Sequence, residues 1–117
     1  MEKRRFLRFD LPGRADLVFE RSSGRPLKAR TCDFSRSGIS LETDIADIPA
    51  GDRRVHVDIL PDWDRKKKFS LSGQVAWHQA QDGRCRLGVM ITEMDPGQKG
   101  ELLDQSYSFW QTALQVS

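Results

Sequence analysis

The sequence predicts a mainly β domain, a set of short antiparallel strands forming a barrel or sandwich and followed by one C-terminal helix. Three observations carry that expectation. Apolar and polar residues alternate in six separate stretches, turn-forming residues sit between most of them, and the last stretch changes to helical spacing after an Asp-Pro pair. At 117 residues the chain fits a single domain with a modest core. Hydrophobic residues at 38% and charged residues at 31% are ordinary for a soluble globular protein, and no low-complexity tract points to disorder.

Residues 1–13 read as a basic arm, mobile without a ligand and punctuated by Leu11-Pro12-Gly13 before the first strand. Residues 14–94 read as the β domain. Ala15, Leu17 and Phe19 alternate along a first strand, residues 21–25 turn, and Leu27, Ala29 and Thr31 mark a second strand returning beside it. A turn centred near Ser23 sets Arg14 opposite Cys32, which brings the arm next to the segment 33–38. Ile39, Leu41 and Thr43 give a third strand, and Val55, Val57 and Ile59 a fourth. In the fifth, Phe69, Leu71, Val75 and Trp77 share a face with Gly73, so Trp77 is expected in the core. Gln81-Asp82-Gly83 signals a hairpin turn into a sixth strand with Cys85, Leu87, Val89 and Ile91.

Residues 95–117 read as the helix, with Asp95 as N-cap and Pro96 in the first helical position. Leu103, Tyr107, Trp110 and Leu114 follow at helical spacing over about four turns. Such a helix would cover an open end or face of the β domain.

The net charge of +2 is small, but its distribution is uneven. Residues 1–30 carry nine Lys/Arg against four Asp/Glu, whereas residues 31–64 carry three against eight, so an anion is drawn to the N-terminal end. No signal-peptide or membrane-spanning stretch is present, and a cytoplasmic protein is expected. Cys32 and Cys85 show no CxxC spacing and read as free thiols; with His56 and His78 they match no zinc signature, so no metal is expected. The chain has no GxSxG, HExxH or Walker glycine loop, and no enzymatic activity is expected.

Chemistry concentrates in two short sets, Arg4-Arg5-Phe6-Leu7-Arg8 and Asp33-Phe34-Ser35-Arg36-Ser37-Gly38. Arginine offers a flat, permanently charged fork for phosphates or the O6/N7 edge of guanine. Asp33 can accept from amino and imino donors, Ser35 can donate to a phosphate oxygen, and Gly38 permits a turn or a close approach. Arg4-x-x-x-Arg8 followed by Asp33-x-Ser35-x-x-Gly38 resembles the RxxxR and (D/N)xSxxG signature of PilZ domains, receptors for the bacterial second messenger cyclic di-GMP. All five signature residues are present, and the resemblance in pattern extends over most of the chain.

The resemblance implies a six-stranded antiparallel β-barrel with a C-terminal α-helix. It also implies a cyclic di-GMP receptor that passes its signal to a protein effector in motility, chemotaxis, polysaccharide production or virulence. By the same resemblance Arg4 and Arg8 take phosphates and guanine edges, with Arg5 an added phosphate or stacking contact. Asp33 reads the Watson–Crick edge of a guanine, Ser35 bonds the ligand, and Gly38 lets the backbone fit. Lys3, Arg36 and Trp77 are candidate further contacts, Trp77 by stacking on a base where its strand reaches the rim. Two rival readings are a small barrel binding RNA or single-stranded DNA through residues 1–13 and 65–68, and a PilZ-like assembly adaptor without ligand binding. The small net charge and the lack of a row of exposed aromatics speak against nucleic acid, and the intact signature speaks against the adaptor.

Overall fold

A computed structural model describes residues 9–20, 26–43 and 53–116, with helix side chains described through residue 112. The elements are β1 (Phe9–Phe19), β2 (Leu27–Phe34), β3 (Gly38–Thr43), β4 (Arg54–Pro61), β5 (Phe69–Gln81), β6 (Arg84–Met94) and α1 (Pro96–Val116). The strands close into one antiparallel barrel in the order β1-β2-β3-β6-β5-β4, which settles barrel over sandwich. Closure leaves no long unpaired sheet edge.

Alternation along each strand fills the interior. Ala15, Leu17, Phe34, Leu41, Val57, Ile59, Phe69, Leu71, Leu87 and Val89 are all buried there, and full burial of each large side chain is worth about 1.5–3 kcal/mol. Cys85 is buried and Cys32 half-buried, and neither is in a disulfide. The β5–β6 hairpin closes with Gln81 opposite Arg84. Its two loop residues, Asp82 and Gly83, have φ of 54° and 78°, the left-handed pair that a tight hairpin matching the twist of its strands requires.

Two expectations about the first hairpin need correction. Arg14 faces Arg30, not Cys32, and Leu17 faces Leu27, so the hairpin is centred at residue 22. The first strand also begins at Phe9 and runs through Pro12-Gly13. The ladder accommodates them with a bulge between Asp10 and Gly13. Inside it the Thr31 hydroxyl donates to the Leu11 carbonyl, and the Pro12 carbonyl accepts from the Asp62 N–H at 3.0 Å. A Cβ on Gly13 would lie 2.7 Å from the Leu60 carbonyl oxygen, so only glycine lets β4 come this close.

Helix α1 starts as expected: the Asp95 carboxylate accepts from the Gln98 N–H at 3.0 Å, satisfying an end donor. At 21 residues it is nearer six turns than four. Its most buried described positions are Leu102 and Ser106, one residue round from the expected Leu103–Tyr107 line. Tyr107 and Trp110 are 43% and 38% exposed and pack instead on Phe9 at the start of β1. Leu114 lies outside the described side chains. Trp63 fastens the helix to the β4–β5 connection, donating to the Gln105 side chain at 2.6 Å and stacking on Phe109. Among the described residues no helix is long and apolar enough to cross a membrane.

Candidate functional site

The loop between β2 and β3 is organised by one serine. Ser35 is 2% exposed, and its N–H donates to the Gly38 carbonyl at 2.9 Å. Its hydroxyl accepts from the N–H groups of Ser37 and Gly38, both at 3.3 Å. This side-chain mimic of a backbone turn leaves Arg36 and Ser37 exposed at the tip. The Ser37 carbonyl accepts from the Ile91 N–H at 2.9 Å, tying the loop to β6. Gly38 serves the same junction, because a Cβ there would sit 2.8 Å from the Val89 carbonyl oxygen.

From this loop a row of side chains crosses the outside of the barrel. Asp33 lies opposite Ser40, Ser40 opposite Gly88, and Gly88 opposite Trp77. These positions alternate with the core residues Phe34, Ile39, Leu87 and Val89, so they belong to the outer face. The Trp77 indole rests on Gly88, where a Cβ would come within 2.2 Å of Nε1. Ser40 is buried within the row, and its hydroxyl has no hydrogen-bond partner among the described residues.

Trp77 is therefore not a core residue, contrary to the alternation along its strand. The β5–β6 register shifts between Val75 and Trp77, and the extra residue turns the indole outward, leaving it 43% exposed. Sequence reasoning also missed Ser40 and Gly88. A glycine inside the apolar run 87–91 was a readable sign of close approach, but its partner could not be named without the bulge.

Phe9 is paired with Phe34 and packs edge-on against Tyr107 with centroids 5.6 Å apart. Phe9, the first described residue, therefore stands beside Asp33. Lys3, Arg4, Arg5 and Arg8 themselves lie outside the described residues. Next to Asp33, burial pushes the Cys32 thiol up, against the opposing pull of the Arg86 guanidinium, so this cysteine is a poor nucleophile at neutral pH. A depression of about 660 Å³ lined by Val18, Glu20, Arg54, His56, Gln74 and Glu93 contains none of the described signature residues. It lies over β1, β4 and the far ends of β5 and β6, away from β2 and β3, so residue chemistry rather than concavity locates the candidate site. Among the described residues no group of His, Cys, Asp and Glu could hold a metal ion.

A closed six-stranded barrel with an Asp-x-Ser-x-x-Gly loop on its outer wall and a helix at its end defines a class of ligand-binding module. The PilZ domain profile matches residues 2–108, and the chain belongs to the PilZ domain family. Among solved structures it is similar to the PilZ domain with c-di-GMP of YcgR from Escherichia coli, at 17% identity and a TM-score of 0.75, covering 97% of this chain and 96% of that one. It is also similar to YcgR in complex with c-di-GMP from Escherichia coli, at 18% identity and a TM-score of 0.76, covering 98% of this chain and 49% of that one. The Bacillus subtilis inhibitor of motility MotI/DgrA aligns at 11% identity and a TM-score of 0.74, covering 96% of this chain and 53% of that one. The chain thus spans about half the length of these last two proteins. No curated protein matches the sequence.

Proposed function

We propose that this PilZ domain is a cyclic di-GMP receptor without catalytic output, acting in the cytoplasm and signalling to a protein effector. The observation that carries the reading is the row from Asp33 to Trp77 on one outer face, beginning next to Phe9, the residue that follows Arg8. A guanine laid on this row has a carboxylate for its imino and amino donors at one end and an exposed indole for its π-face at the other.

Arg4 and Arg8, with Arg5 and Lys3, neutralise the phosphates, and the arm folds over the ligand against the barrel wall. Ser35 acts through the turn it holds and through its proximity to the ligand, Gly38 by keeping β3 close to β6, and Arg36 by contact from the loop tip. Ordering the arm offsets part of the contact energy and converts binding into a changed surface. The similarity to a Bacillus subtilis inhibitor of motility supports motility among the outputs to be examined, beside chemotaxis, polysaccharide production and virulence.

Calorimetric titration of cyclic di-GMP, GTP and a short oligonucleotide into wild type, Arg8→Ala and Asp33→Ala tests the reading. Binding of cyclic di-GMP that is lost in both variants is expected, with screening by salt weakening it. Absence of heat with the wild type, or preference for the oligonucleotide, overturns it.

A further inference from the structure

Two residues along β3, β6 and β5 from the Asp33–Trp77 row, and three along β2 where the register shifts, a second row crosses the same outer wall, and it is basic. Arg14 lies opposite Arg30, Arg30 opposite Glu42, Glu42 opposite Arg86, and Arg86 opposite Gln79. The Glu42 carboxylate also accepts from Arg84 at 2.9 Å. Three arginines of the row, with Arg84 beside it, are therefore grouped around the Glu42 carboxylate. Lys28 adds no free charge because it is engaged by Asp16 at 2.9 Å.

Like charges directly opposite on neighbouring strands destabilise a sheet, so the Arg14–Arg30 pair opposes folding. An anion between them would relieve the repulsion. The surface has places for one: two shallow depressions of about 250 and 270 Å³ flank the Glu42–Arg84 ion pair. Arg14, Lys28, Arg30 and Arg84 outnumber Glu42 in the first, whereas in the second Arg84 and Arg86 are matched by Glu42 and Asp82, with Gln79 and Gln81 beside them.

We propose that this band docks an acidic segment of a protein partner, its carboxylates entering the first depression and joining Glu42 among the arginines, and its backbone running on over the second. Charge complementarity selects the occupant. A nucleic acid would need exposed rings on which bases stack, and among the described residues no aromatic side chain lines either depression. Glutamine amides suit peptide groups instead. From β1 to β6 the band crosses three strand spacings, about 14 Å, which four residues of extended chain cover. It lies about 7 Å from the Asp33–Trp77 row, so an occupant there would meet whatever the first row holds.

The test is fluorescence anisotropy of a labelled twelve-residue glutamate-rich peptide with the full chain at low salt and without cyclic di-GMP, so its outcome is independent of the ligand reading. Arg14→Gln/Arg30→Gln relieves the like-charge pair and should fold at least as well as wild type. Peptide affinity is expected to fall at least tenfold in that variant and to stay within twofold in Arg65→Gln/Lys66→Gln, where exposed charges of the β4–β5 connection are removed. Any of three results overturns the proposal: no binding by wild type, equal weakening in both variants, or tighter binding of a single-stranded oligouridine than of the peptide.

Discussion

Gly38→Ala asks what the last signature residue is for. A Cβ at this position would stand 2.8 Å from the Val89 carbonyl oxygen, well inside van der Waals contact, and the obstructing atom is backbone within the β3–β6 ladder. Neither strand can relieve the clash by rotating a side chain, so β3 must move away from β6. Overpacking of this kind costs about 1–3 kcal/mol. For a domain of this size the unfolding midpoint should drop by about 4–12 °C. Circular dichroism melts and urea titrations of wild type and variant measure this, with the urea m-value unchanged. The adjacent bond from the Ile91 N–H to the Ser37 carbonyl should open as well, and exchange of the Ile91 amide should quicken. An unchanged midpoint together with lost cyclic di-GMP binding would refute the reasoning, because the glycine would then serve ligand approach rather than strand contact.

Three further outcomes are expected. Trp77→Ala should weaken cyclic di-GMP binding by about 1–3 kcal/mol, the worth of one stacked base, and barely move the melting temperature because the ring is on the outer wall; unchanged affinity in a titration would remove Trp77 from the site. Burial raises the Asp58 carboxyl, but hydrogen bonds from Ser70 and His56 outweigh it and hold the group below its ordinary value of 3.8. Its contribution is therefore complete above pH 3.8 and is lost as the pH falls through the depressed value, so Asp58→Asn should flatten the acid limb of a stability–pH curve. Asp95→Ala removes the N-cap of α1 and should cost about 1 kcal/mol in urea unfolding, whereas Asp95→Asn should retain most of it.

The sequence was most readable where local chemistry has one solution. Asp82-Gly83 could only be a tight hairpin, since both residues tolerate positive φ, and Asp95-Pro96 could only open a helix. Six alternating stretches made the strands visible, but barrel and sandwich share that alternation, and the PilZ resemblance, not the periodicity, pointed to closure. Register was harder. Pro12-Gly13 reads as an interruption, yet the Thr31 hydroxyl and the Asp62 N–H supply the hydrogen bonding that lets a strand pass through it as a bulge. A bulge is a single residue out of step, and the one between Val75 and Trp77 reversed the predicted side of the tryptophan.

The helix face slipped by one position for a related reason. Aromatic residues set the apparent stripe, but the barrel end accommodates the smaller Leu102 and Ser106, and the larger rings go to its margin around Phe9. The candidate site was legible in its Asp33–Gly38 half because that chemistry is contiguous in sequence. Ser40, Gly88 and Trp77 join it only through pairing across three strand boundaries.

The central claim is that cyclic di-GMP lies on the outer row that starts beside Phe9. Amide chemical-shift mapping of the ¹⁵N-labelled protein during titration with cyclic di-GMP tests it most directly. The largest changes are expected at residues 33–40, at Gly88 and at the Trp77 indole, with further changes in residues 3–9. Changes confined to the depression lined by Arg54, His56 and Glu93, or no changes at all, would contradict it.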